Sequence, residues 1–137
     1  MFAFESVNDG KLPCKMTHFS AGFDLCINED VTLESGETYF LPLGVKIGNY
    51  KQTTNYLDYL ELHPRSSLRA KGIISGVGVI DADYRDEIKL IVYATKRIKF
   101  KRGDRVAQII AKHTNHDLMR NCESKSEFRI GGFGSTN

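Results

Sequence analysis

The stretch VTLESGETYFLPLGVKI (31–47) decides the fold class, because two apolar runs flank the turn signal ESGE (34–37). β-Branched and aromatic residues favour strands, whereas Gly and Ser favour turns. Similar runs occur on both sides of this stretch: GFDLCI (22–27), YLDYLELH (56–63), EIKLIVYAT (87–95), RIKF (97–100) and RVAQIIAKH (105–113). Short strands separated by turn residues at this spacing predict an all-β sandwich or barrel.

Helical signals are weak. The best is SSLRAKG (66–72), where Ser66 could cap one turn and Gly72 could end it. The 137 residues are enough for one core but not for two. We expect a β domain over 1–118 and a flexible C-terminal arm over 119–137, because the arm sequence is polar, rich in Ser and Gly, and poor in apolar area.

Composition excludes several functional classes. The formal net charge of +2 is too small to predict a nucleic-acid surface. No apolar run is long enough to span a membrane, so we expect neither a nucleic-acid nor a membrane partner. Three widely spaced cysteines, without a C-x-x-C, favour a reducing compartment over a disulfide framework or zinc site. We expect a cytoplasmic protein, or one of the host cytosol or nucleus if its source is viral.

Two polar stretches could bind anions or a metal. In SAGFDL (20–25), Asp24 begins a strand, and on this segment alone a turn aspartate is the better interpretation. In HPRSSLRAKG (63–72), Arg65 and two hydroxyls precede a short helix. An anion site and an ordinary helix cap with solvated basic residues are about equally supported there.

The stretch GVGVIDADYRDEI (76–88) carries the best candidate for acid–base chemistry. Asp81 and Asp83 are two residues apart and face the same side if the segment is extended, although a turn there would undo this inference. A carboxylate can orient a water molecule and accept its proton. Solvated acids at a hairpin corner are the alternative, which we disfavour because the apolar run before Asp81 would hold that carboxylate rigidly.

The fourth stretch, KRGDRVAQII (101–110), places Gln108 inside a buried strand, where its amide needs a local partner or a ligand. The fifth is the Gly-rich end RIGGFGSTN (129–137). Neither a P-loop sequence nor a strand followed by G-x-G-x-x-G is present, so neither of these phosphate-binding motifs accounts for phosphate binding.

These five stretches, in this order, resemble the five motifs of the trimeric dUTP diphosphatases (dUTPases), and the match covers nearly the whole chain. The resemblance implies a β-jelly roll (β-clip) that assembles as a homotrimer with active sites at the subunit interfaces. It implies Mg²⁺-assisted hydrolysis of dUTP to dUMP and pyrophosphate by attack of water at the α-phosphorus. This reaction limits uracil incorporation into DNA and supplies dUMP for thymidylate synthesis.

The resemblance also implies roles for individual residues. Asp81 would activate the water, Tyr84 would pack against deoxyribose, and Asp24 would bind the metal through a coordinated water. A β-hairpin around Ser75 to Ile80, including Gly78 and Val79, would read uracil through main-chain groups, and Phe133 would stack on the base. The implied phosphate ligands are Arg65, Ser66, Ser67, Gln108, Ser135, Thr136 and Arg129, the last aligning with the family arginine only after a one-residue shift. The chain departs from the family pattern at Asp86, where Gly is usual.

Two alternatives remain at this point. The dCTP deaminases share the fold and an RSSL stretch, but they need a glutamate near the amine, and their last motif matches less well. Some proteins of this fold act as binding or regulatory modules. The complete set of candidate site residues disfavours a module that has lost its chemistry, although a regulatory role could accompany the activity.

Overall fold

The computed structural model describes residues 1–126. Eleven strands and one short α-helix follow one another along this part of the chain. They are β1 Phe2–Ser6, β2 Phe23–Cys26, β3 Val31–Leu33, β4 Thr38–Pro42, β5 Val45–Tyr50, β6 Leu57–Pro64, α1 Ser66–Ala70, β7 Ile73–Ile74, β8 Gly78–Asp81, β9 Lys89–Ala94, β10 Ile98–Phe100 and β11 Arg105–Thr114. A 3₁₀ turn at His116–Leu118 follows β11.

The strands form four antiparallel sheets that pack around one core. The largest has the order β2-β11-β6-β8, and a three-stranded sheet has the order β4-β9-β7. Strands β1 and β5 form one two-stranded sheet, and β3 and β10 form another. Strands that pair with each other are mostly distant in sequence, as in a jelly roll. The described residues therefore confirm the predicted all-β jelly-roll fold.

Period-two alternation directs side chains into or away from the core. In β6, Asp58, Leu60 and Leu62 are buried, whereas Tyr59, Glu61 and His63 lie on the opposite face. In β9, Leu90, Val92 and Ala94 point inward. The core is closed by further aliphatic side chains, each at most 1% exposed: Leu25, Ile27, Leu33, Leu41, Leu43, Val45, Ile47, Leu68 and Ile88.

A buried carboxylate joins three strands at one end of the core. Asp58 of β6 is 8% exposed and accepts hydrogen bonds from the Tyr50 hydroxyl at 2.8 Å and from His113 Nδ1 at 2.5 Å. The Asp58 main-chain N–H donates back to the Tyr50 hydroxyl at 3.1 Å. Burial alone would raise the pKa of the Asp58 carboxyl, but the hydrogen bonds from Tyr50 and His113 outweigh it and lower the pKa.

Most of the predicted elements are present, with several differences. The helix occurs at Ser66–Ala70, but its N-cap is Arg65 rather than Ser66, and no side chain caps it. Gly72 ends it as expected, with a φ of +87° that favours glycine. The run 38–47 forms two strands, β4 and β5, and the strands β1 and β7 and the 3₁₀ turn were not predicted. Within residues 1–126, no helix is long and apolar enough to cross a membrane.

Candidate active site

A cleft of about 440 Å³ opens between β8 and β9. Its walls are formed by residues 76–81, by Tyr84 and by residues 88–91, with Leu62 at its base. Volumes of about 300–1,000 Å³ are usual for small-molecule sites. Among the described residues β8 is an edge strand, because it pairs with β6 on one side only. Main-chain N–H and C=O groups of an edge strand can read the donors and acceptors of a planar ring.

The segment between β7 and β8 is not the expected β-hairpin. Strand β7 pairs with β9, whereas β8 pairs with β6, so residues 75–77 cross from one sheet to another. The Ser75 hydroxyl donates to the Ile91 carbonyl at 2.7 Å and fixes this crossing. The cleft therefore lies where the two sheets diverge, and its position follows from the topology rather than from a local turn.

Asp81 is the last residue of β8, and its side chain is exposed beside the cleft. A turn follows at once, closed by a hydrogen bond from the Tyr84 N–H to the Asp81 carbonyl at 3.1 Å. The turn removes the period-two relation between Asp81 and Asp83, so the prediction that both carboxylates share one face of an extended segment is wrong. Asp81 does follow the apolar run, at the last position of β8.

Tyr84 forms one wall of the cleft and is only 8% exposed. Its hydroxyl donates to the Glu87 carbonyl at 3.3 Å. The Glu87 carboxylate in turn accepts from the Gly44 N–H at 3.0 Å. The ring is thus fixed in a position where it can exclude a substituent from the cleft.

A second cluster gathers five of the other predicted residues: Asp24, Gln108, Arg65, Ser66 and Ser67. Gln108 of β11 stands opposite Asp24 of β2, and Arg105 Nη1 lies 3.2 Å from Asp24 Oδ2. The Asp24 side chain is 17% exposed. Gly22 lets the chain just before β2 lie close to β11. A Cβ at Gly22 would lie 2.8 Å from both Gln108 Oε1 and the Ile109 carbonyl oxygen. The sequence analysis missed Arg105, although its place in a strand that could pair with the Asp24 strand offered a signal.

Arg65 joins this second cluster from the end of β6. Its N–H donates to the Val106 carbonyl at 2.9 Å, and its Nη1 donates to the Arg105 carbonyl at 3.5 Å. Ser66 and Ser67, the first residues of α1, are exposed next to it. Two guanidinium groups, two hydroxyls and an amide therefore converge near one carboxylate, a combination suited to a polyanion that carries a metal ion.

The two clusters lie far apart within one chain. Asp81 stands opposite Tyr59, at the start of β6, whereas Ala107 stands opposite Pro64, at its end. The five steps along the strand from Tyr59 to Pro64 span about 17 Å at about 3.4 Å per residue. The remaining predicted residues, Arg129, Phe133, Ser135 and Thr136, lie outside the described residues.

A β protein with a ring-sized cleft and a separate cluster of anion-binding groups has the features of an enzyme for a nucleoside polyphosphate. Comparisons with known proteins agree. A family model described as dUTPase matches residues 8–137. The chain therefore belongs to the dUTPase family.

Individual relatives support the same assignment. A deoxyuridine 5'-triphosphate nucleotidohydrolase of Candida albicans is 36% identical over 138 residues, covering 93% of this chain and 81% of the relative. The crystal structure of a dUTPase from Streptococcus mutans is similar with a TM-score of 0.68 and 30% identity, covering 80% of this chain and 94% of that one. A dUTPase from phage phi11 of S. aureus, at 16% identity and a TM-score of 0.76, supports the fold alone; it covers 95% of this chain and 99% of that one.

Proposed function

We propose that this chain hydrolyses dUTP to dUMP and pyrophosphate in a Mg²⁺-assisted reaction, at sites shared between the subunits of a homotrimer. As a member of the dUTPase family the chain is a dUTP diphosphatase. The observation that carries the proposed mechanism is the meeting of Asp81, Tyr84 and the edge of β8 at one cleft.

Uracil would enter the cleft and pair with main-chain groups of β8. Its O4, N3–H and O2 present acceptor, donor and acceptor along one edge, a pattern that strand N–H and C=O groups can match. Cytosine would place an amine where a donor already stands, and thymine would add a methyl group at C5. The Tyr84 ring would pack against deoxyribose and leave no room for a 2′-hydroxyl.

Asp81 would act as the general base. Its carboxylate would accept a proton from a water molecule as the water oxygen bonds to the α-phosphorus and pyrophosphate leaves. A carboxylate is a weak base, so much of the rate must come from the position of the water and from fixed charges. Arg65, Gln108 and the two serines of α1 would hold the phosphate chain, which keeps the α-phosphorus in line with the water.

The donor set around Asp24 fits Mg²⁺. Among residues 1–126, no group of three or more acidic, histidine or cysteine side chains is placed to enclose a metal. Mg²⁺ often keeps several waters and takes its other ligands from phosphates and one or two carboxylates. Asp24 Oδ2 accepts a hydrogen bond from Arg105 Nη1. The other carboxylate oxygen, Oδ1, would accept a hydrogen bond from a water that is bound to the metal. The metal, when bound, would neutralise charge on the triphosphate.

The separation of the two clusters supports a shared site. A triphosphate cannot contact Asp81 and Arg65 of the same chain if these lie about 17 Å apart along β6, so the phosphate cluster would come from another copy. A closed homotrimer would repeat this contact three times. The Gly-rich end, with Phe133, Ser135 and Thr136, would complete the site as an arm, and 1–118 would remain the domain.

The proposed role is to limit uracil in DNA and to supply dUMP for thymidylate synthesis. The three cysteines are free thiols, which supports a reducing compartment such as the cytoplasm.

Pyrophosphate release from dUTP, dCTP, dTTP and UTP, each with and without Mg²⁺, tests the proposal. We expect release from dUTP alone, strongly reduced after chelation. Deamination of dCTP, or equal release from all four nucleotides, would contradict the proposed substrate recognition.

A further inference from the structure

Three polar side chains form a hydrogen-bonded row on the outward face of β6. The Tyr59 hydroxyl donates to Glu61 Oε2 at 3.3 Å, and His63 Nε2 lies 2.9 Å from Glu61 Oε1. The His63 side chain is 28% exposed. The buried partners of this strand, Leu60 and Leu62, point the other way. The row is not needed to close the core, and no role has been assigned to it so far.

The register places His63 next to the phosphate cluster. His63 stands directly opposite Gln108, and Gln108 stands opposite Asp24 on the other side. Directly opposite residues of antiparallel strands share a face, with Cβ atoms about 4.5–5.5 Å apart. A phosphate oxygen held by the Gln108 amide would therefore be within reach of the His63 imidazole.

The carboxylate of Glu61 is the charged partner within the row. The hydrogen bond from His63 is the main reason why the pKa of the Glu61 carboxyl is lowered, and Lys112 and Tyr59 lower it further against the opposing effect of burial. An ionised carboxylate holds its proton-bearing partner in place. The ionisable groups nearest His63 on this face are Glu61, Arg65, Arg105 and Asp24, and Tyr59, Lys112 and Asp81 lie further along the strands.

We propose that His63, oriented by Glu61, is an additional triphosphate-binding residue that binds in its protonated form. The Nε2–H is committed to Glu61, so a hydrogen bond to a phosphate oxygen requires a second proton on Nδ1. Substrate binding is therefore linked to proton uptake. The inference rests on the proposed function, because it places the triphosphate at Gln108.

The test compares wild type with His63→Gln, and uses His116→Gln as a matched control on the exposed 3₁₀ turn. The dissociation constant of a non-hydrolysable imido analogue of dUTP is measured by calorimetry at pH 6 and pH 8. Because histidine changes charge between these values, we expect His63→Gln to weaken binding about fivefold or more at pH 6 and hardly at pH 8. His116→Gln is expected to match wild type at both.

Proton uptake on binding is a second measurement, and it would not change if the role of His63 were only structural. Binding enthalpies in buffers of different ionisation enthalpy give the number of protons taken up. Wild type is expected to take up more protons near pH 7 than His63→Gln. Glu61→Gln, which keeps the shape of the side chain but removes its charge, is expected to move the pH dependence of binding to lower pH.

Two outcomes would overturn the inference. One is equal pH dependence of binding in wild type and His63→Gln. The other is a change confined to the melting temperature, which would make the row structural. Failure of the proposed function is distinguishable, since wild type would then neither bind the analogue nor release pyrophosphate from dUTP.

Discussion

Asp81 stands where the apolar strand β8 gives way to a turn, and its side chain is exposed. Ile80, just before it, is buried in the core. The hydrogen bond between the Tyr84 N–H and the Asp81 carbonyl fixes the backbone on the other side. A general base needs this combination, because its oxygen must reach a water molecule without moving away from it.

Replacing Asp81 by Asn is expected to lower turnover by at least about 100-fold, because the amide cannot accept the proton of the attacking water. Binding of the imido analogue and the melting temperature are expected to stay close to wild type, since Asn keeps the size of the side chain. Asp86→Asn provides the matched control, as Asp86 is an exposed acid five residues further along. Near-normal hydrolysis by Asp81→Asn would remove Asp81 from the mechanism.

Individual residues were predictable where a local pattern fixes them. Asp81 follows an apolar run, and Gln108 interrupts one, so the positions of both in their strands could be predicted from sequence. The orientation of Asp83 was not, because whether a segment stays extended or turns depends on its hydrogen bonds. Arg105 was missed because its partner Asp24 lies on a strand 81 residues away.

At the scale of elements, strands were predictable from their apolar runs, but their pairing was not. The expected hairpin at residues 75–80 failed because β7 and β8 find their hydrogen-bond partners in different sheets. Pairing depends on contacts between residues that are distant in sequence. The same long-range pairing creates the cleft, which no local pattern reveals.

The hydrogen bonds of buried Asp58 with Tyr50 and His113 link β6 to β5 and β11. Because the pKa of the Asp58 carboxyl is lower in the folded than in the unfolded protein, its ionised form stabilises the fold. That contribution is complete above the unfolded pKa of about 3.9 and is lost as the pH falls through the lower folded value.

Asp58→Asn is therefore expected to reduce the free energy of unfolding by about 1–3 kcal/mol at pH 7, as for a broken buried hydrogen bond to a charged group. The difference from wild type should persist down to about pH 5 and shrink at lower pH. Urea unfolding across this range checks it. Asp86→Asn, at an exposed position, serves as a control for the loss of one charge. If the difference in unfolding free energy between wild type and Asp58→Asn grew as the pH fell, the pKa of Asp58 would be raised by folding and not lowered.

On the scale of the whole molecule, one chain carries the candidate base and the candidate phosphate cluster at separate places. Asp81 lies opposite the start of β6, and Arg65 follows the end of that strand. Under the proposed function, a monomer could not apply both residues to one triphosphate. The proposed homotrimer resolves this geometry by joining the cleft of one copy to the phosphate cluster of the next.

Complementation between two inactive variants tests this central claim most directly. Asp81→Asn and Arg65→Ala are each purified, unfolded together in equal amounts and refolded, and dUTP hydrolysis is measured. Random mixing in a closed trimer leaves about one site in four with both wild-type halves, so about a quarter of wild-type activity should return. Each variant refolded alone is the control. Recovery to this level supports shared sites, and activity no higher than that of the separate variants would contradict them.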